Sequence, residues 1–161
     1  MKILELYYKI FNKEIPYYAK YPLWLILWKP VRKFFNVVII PDIPFNFIRI
    51  FLYKYFIGYK IGKNVFIGMK CYLDDLEPSS TIIENNVTIS YGCYFALHGK
   101  NQKHSFIHIK NYTYIGMRTT IIADDNGLTI GEKAIVGACT LVNKNVPADV
   151  TVAGIPAKII N

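Results

Sequence analysis

From residue 61 onward an aliphatic side chain returns at almost every sixth position. Read in sixes, the chain runs IGKNVF, IGMKCY, then Leu73; IENNVT, ISYGCY, then Phe95; IKNYTY, IGMRTT, then Ile121; and IGEKAI, VGACTL, then Val142. Ile61, Ile67, Leu73, Ile83, Ile89, Ile109, Ile115, Ile121, Ile130, Val136 and Val142 lead these hexads. Four places later stands a small or β-branched residue: Val65, Cys71, Val87, Cys93, Thr113, Thr119, Ala134 or Thr140. A half-buried strand alternates with period two and a helix with 3.6, so neither yields sixes. Short strands that each end in a turn do. Three per coil wind a triangular prism, and about eighteen residues raise the chain by one strand spacing, with the leading aliphatics stacked inside. The small residue fits near a corner, and the glycine that often follows the aliphatic (Gly62, Gly68, Gly116, Gly131, Gly137) is expected to permit a tight turn.

Slips in the phase mark loops. The step from Leu73 to Ile83 is ten, that from Phe95 to Ile109 is fourteen, and three extra residues separate Ile121 from Ile130. Excursions from a solenoid gather on its functional face. The longest, after Phe95, carries His98 and His104 and leads to His108.

Residues 1–60 follow no such period. The apolar run Tyr21–Trp28 ends at Lys29 and Pro30, far short of the ~20 residues that span a bilayer. Trp24 and Trp28 lie four apart, and Phe47, Ile50, Phe51 and Lys54 recur at helix-like spacing. Charge sharpens the contrast. Ten basic residues stand here against Glu5, Glu14 and Asp42, a net of +7, which leaves +1 of the chain's +8 for the remainder. An aromatic, cationic, helical segment of this kind suits an anionic membrane surface, or it caps the open end of the prism, and the two roles are compatible. No nucleic-acid motif accompanies the charge, so no nucleic-acid partner is expected. The predicted division is 1–60 as extension and 61–161 as prism. The N-terminus lacks the pattern of a signal peptide, so the expected location is cytoplasmic, peripheral at the inner face of the plasma membrane if the extension binds lipid. Cys71, Cys93 and Cys139 lack CxxC spacing and read as buried reduced thiols.

The hexads, and above all the ending VGACTLVNKNVPADVTVAGIPAKII with its V-x-G-x-P-A-[KR] turn, resemble the hexapeptide-repeat acyltransferases. The resemblance covers 61–161 and lies nearest the galactoside and maltose acetyltransferases and the polysaccharide O-acetyltransferases. It implies a left-handed parallel β-helix, a homotrimer with sites shared between neighbouring prisms, acetyl-CoA as donor without a metal, and a saccharide acceptor. His98, in YFALHGKN, matches the family's general base; imidazole, with an ordinary pKa of about 6.5, suits that work. In CYLDDLEP, Asp75 or Asp74 matches the carboxylate that contacts the acceptor sugar, while the asparagine found upstream in sugar acetyltransferases is absent near Ile67. Gly137 and Ala138 match the wall along the pantetheine arm, Lys144 and Lys158 the phosphate-binding positions, and Tyr114 a place often held by tryptophan. N-acetylation of an amino sugar or of another small molecule, and a non-enzymatic scaffold, remain as alternative readings. A zinc hydratase of the carbonic anhydrase type is disfavoured, because His98, His104 and His108 crowd into one excursion.

Overall fold

The hexads fold as predicted, into strands of two or three residues followed by turns, because only a short extended piece lets the leading aliphatic point inward before the corner. The exception is at Leu73, where Tyr72 makes only an isolated bridge to Tyr94. The computed structural model describes residues 10–11, 23–75, 77–97 and 105–161; of 23–26 it describes the backbone. The chain forms two compact units, Met1–Phe35 and Asn36–Asn161.

The second unit is a left-handed parallel β-helix. One face holds β1 (Lys60–Ile61), β3 (Thr81–Ile83), β6 (Ile107–Ile109) and β9 (Leu128–Ile130). A second holds, in spatial order, β13 (Lys158–Ile159), β12 (Thr151–Ala153), β10 (Ile135–Val136), β7 (Tyr114–Ile115), β4 (Thr88–Ile89) and β2 (Phe66–Ile67). The third holds β11 (Leu141–Val142), β8 (Thr120–Ile122) and β5 (Tyr94–Ala96). All pairings are parallel except that of β12 with β13. Phe66 pairs with Thr88, twenty-two residues on; Thr88 with Tyr114, twenty-six on; and Tyr114 with Ile135, twenty-one on. Those steps exceed eighteen by four, eight and three, the lengths of the three phase slips. Every leading aliphatic is buried, as are all eight small residues four places later.

The glycines differ from expectation. The left-handed turn residue falls three places after the leading aliphatic, at Asn64, Lys70, Asn86, Gly92, Tyr112, Arg118, Lys133 and Cys139, with φ between 54° and 70°. Gly62, Gly68, Gly116 and Gly131 are needed for another reason. A Cβ on any of them would come within 2.7 Å of an atom of the neighbouring coil. They let coils stack; they do not make the turn. Cys139 also departs from its reading: it occupies a left-handed position and is exposed, whereas Cys71 and Cys93 are buried.

The prism's first edge is closed by residues 36–59, which belong to the same compact unit as the prism. The chain passes through a π-helical turn (Phe35–Ile39), a 3-10 turn (Ile40–Asp42), helix α2 (Asn46–Phe51) and a π-helical stretch (Leu52–Ile57); α1 is Leu23–Phe34, in the first unit. Among the described residues no helix is long and apolar enough to cross a membrane. The edge of a sheet leaves N–H and C=O groups unpaired, and here polar side chains meet them. The Asn46 amide donates to the Val65 carbonyl (3.0 Å) and accepts from the Ile67 N–H (3.0 Å), imitating a neighbour for β2. Arg49, fully buried, donates to the carbonyls of Ile43 and Ile67. Asn36 donates to the Leu73 carbonyl (2.8 Å), which also accepts from Tyr59 (2.8 Å). Burial pushes the Tyr59 phenol well above its ordinary pKa, so it stays a donor.

Candidate active site

The strands of the third face each run into a corner, and that corner gathers the residues around the long excursion. Leu73, Phe95, Ile121 and Val142 are stacked core residues. The positions just beyond them are Asp74 and Asp75, Ala96 and Leu97, Ile122 and Ala123, and Asn143 and Lys144. Asp75 and Lys144 therefore stand at equivalent places three coils apart, roughly 14 Å along the axis.

Asp74 is fully buried, and its Oδ2 accepts the Leu97 N–H at 2.8 Å. The Leu97 carbonyl in turn accepts the Ser105 N–H at 3.1 Å. These bonds fix both ends of the excursion and hold the main chain next to His98. His98 and His104 themselves lie outside the described residues. Asp75 is also buried, and its Oδ1 accepts from the Tyr72 hydroxyl at 3.0 Å. Burial, and then the Asp75 charge, raise the Tyr72 pKa, which keeps that phenol protonated. The Tyr72 ring stacks on Tyr94 of the next coil, centroids 4.5 Å apart. The hexad pattern does not mark Tyr72; its place three residues before Asp75 is the signal for it.

Tyr114, Gly137, Ala138 and Lys158 lie around the second face. Tyr114 points outward from β7 and accepts a hydrogen bond from Ser90 (3.3 Å). Gly137 follows β10; its N–H donates to the Val152 carbonyl and its own carbonyl accepts from Thr119. A side chain there would meet the Ala153 Cβ at 3.0 Å, and Ala153 is paired with Lys158 across β12 and β13. Ala138 and Lys158 are exposed. Lys144, also exposed, lines a cavity of about 200 Å³ together with Pro147, Val152, Ala157 and Ile159. The fold thus assembles two groups, Asp74–Asp75–Leu97 at one corner and Gly137–Ala153–Lys158 on another face. His108 takes neither place: it lies on the first face and pairs with Glu84, Nε2 to Oε1 at 2.6 Å. Among the described residues no cluster of His, Cys, Asp and Glu could hold a metal.

Similarity to known proteins decides the family. The Bacillus subtilis protein named "Putative acetyltransferase YvoF" is 31% identical over 136 residues, 82% of this chain and 77% of that one. This chain belongs to the hexapeptide-repeat acyltransferase family. Galactoside O-acetyltransferase of Escherichia coli K12 is 30% identical over 116 residues, 63% of the chain, and the match spans about half of the relative's length, 56%. Among solved structures, the hexapeptide-repeat acetyltransferase VCA0836 of Vibrio cholerae, crystallised with acetyl-CoA, superposes with a TM-score of 0.70 over 98% of this chain and 97% of that one. At 22% identity that likeness speaks for the fold. No protein-family model matches the chain. As a member of this family the chain is an enzyme, an acyltransferase.

Proposed function

We propose that this acyltransferase moves an acetyl group from acetyl-CoA to a hydroxyl of a sugar or cell-envelope polysaccharide precursor, with His98 as general base. The observation that carries the reading is the Asp74 carboxylate on the Leu97 amide, beside buried Asp75: the residue before His98 is held by the neighbouring coil. In this reading neutral His98 takes the proton of the acceptor hydroxyl as its oxygen attacks the thioester carbonyl. The tetrahedral adduct collapses with release of the thiolate, which recovers the proton from the imidazolium. Asp75 receives acceptor hydroxyls and Asp74 serves as a positioning residue. The developing oxyanion calls for a backbone N–H donor.

The donor's arm runs past Ala138, where Gly137 contributes the absence of a side chain, and Tyr114 offers a flat surface. Lys144 and Lys158 meet its phosphates as point charges. The reading includes a homotrimer in which neighbouring prisms complete each site, as the family resemblance implies. The similarity to a galactoside O-acetyltransferase supports a hydroxyl acceptor.

Two experiments test this. Products isolated after incubation with glycans and amino sugars should carry acetyl groups removable by mild base, as esters are; a base-stable amide would replace the proposal with N-acetylation. Lys144→Ala and Lys158→Ala should each weaken coenzyme A by about fivefold or more while leaving dephosphorylated, truncated analogues nearly unaffected. Equal losses for both ligands would remove the phosphate role.

A further inference from the structure

The cap is built inside out. Its polar residues face the prism: Asn36 is fully buried and Arg49 is 1% exposed, while Asn46 pairs with the edge of β2. Tyr53 and Tyr59 pack inward with them, but four other rings face away: Phe45 is 57% exposed, Phe47 72%, Phe51 60% and Tyr55 70%. Phe47, Phe51 and Tyr55 follow one another at intervals of four along α2 and the π-helical stretch, opposite Arg49 and Tyr53. A cap that only shielded the prism would carry polar side chains on this outer side. Large aromatics exposed together mark a surface that meets something apolar.

Charge identifies what it meets. The Lys54 ammonium lies 5.8 Å from the Tyr55 ring centre, on the rim of the aromatic face. Taken by itself, the first unit is of the same character: α1 has Arg32 and Lys33 in its last turn and exposes Leu27, Val31 and Phe34 at helical spacing. Residues 1–60 carry a net +7. A second copy would set this charge against itself, whereas an anionic bilayer attracts it and takes aromatic rings at headgroup depth.

We infer that Phe45, Phe47, Phe51 and Tyr55, with Lys54 beside them, form a foot that docks the prism's capped end on an anionic membrane surface. This goes beyond the proposed chemistry and does not depend on it. Docking of this kind would bring the enzyme to acceptors carried on lipid.

The test is co-sedimentation of the full chain with vesicles of phosphatidylcholine, alone or mixed with phosphatidylglycerol, at low and high salt. The intact protein should sediment with the anionic vesicles, less so in salt, since the screening length falls from about 10 Å at 0.1 M to about 3 Å at 1 M. Phe47→Ser/Phe51→Ser/Tyr55→Ser should lower the partition coefficient about tenfold or more at unchanged circular dichroism and oligomeric size. Should that variant misfold, Phe47→Ser alone should give a loss of about threefold. Failure of the intact protein to bind anionic vesicles at low salt overturns the proposal, as does parent-like binding by the folded variant. A lipid-free species of doubled size that the triple variant dissolves would assign the face to a second copy and equally overturn it.

Discussion

His98→Ala should leave the fold unchanged and lower turnover by about two to four orders of magnitude, the range for losing a general base. The fold should survive because both ends of the excursion are tied by groups other than the imidazole. Asp74 holds the Leu97 N–H, and the Leu97 carbonyl holds the Ser105 N–H. The melting temperature and oligomeric size of the variant should therefore match the parent's. The pH profile carries the assignment further. A general base works when unprotonated, so the parent's rate should fall as pH drops through the imidazole's pKa, ordinarily about 6.5. The variant's residual rate should lack that limb. Turnover near the parent's with the same acceptor would sink the assignment.

A second large effect concerns the solenoid itself. A Cβ on Gly116 would lie 2.6 Å from the Ala138 nitrogen, 2.7 Å from the Gly137 carbonyl carbon and 2.8 Å from the Val136 oxygen. All three belong to the backbone of the next coil, which cannot yield without breaking the β7–β10 pairing. Gly116→Ala should cost about 3 kcal/mol, a large part of a typical domain's total of about 5–15 kcal/mol, and lower the melting temperature by about 10 °C. Gly92 is the control. It has φ +70°, a value that L residues disfavour, yet its Cβ would meet only the Arg118 Cγ, at 3.6 Å. The same column already holds Lys70, Arg118 and Cys139 at positive φ. Gly92→Asn should therefore change stability by less than about 1 kcal/mol, the left-handed strain being partly offset by a less flexible unfolded chain. Thermal unfolding of the two variants checks the pair. A mild Gly116→Ala and a severe Gly92→Asn would mean that the turns, not the stacking, need glycine.

How far the sequence reached depended on whether a position answers to its own coil or to a neighbour. Burial of Ile67, Ile89 and Ile115 is local to the hexad, so the period of six revealed it, and the phase slips gave the coil lengths. The need for glycine at 116 arises from a coil twenty-one residues away, and no single hexad shows it. The cap reversed a common assumption. Phe47, Phe51 and Lys54 read correctly as helical, but the face turned inward was chosen by the unpaired carbonyls and amides of the first coil, which favour Asn46 and Arg49 over phenylalanine. At the site, Asp74 and Asp75 were legible as a pair. Their division of labour, Asp74 on the Leu97 amide and Asp75 on the Tyr72 hydroxyl, depends on contacts between coils and within the corner that spacing alone does not order.

Transfer of an acetyl group from coenzyme A to a saccharide hydroxyl is measured by thiol release from acetyl-CoA in the presence of a glycan panel. Release should depend on one class of saccharide, with that saccharide gaining one acetyl group per thiol and with the rate falling about a hundredfold or more in His98→Ala. Release no faster than spontaneous hydrolysis with every acceptor, from a folded protein that also fails to bind coenzyme A, would contradict it and leave a β-helix scaffold in its place.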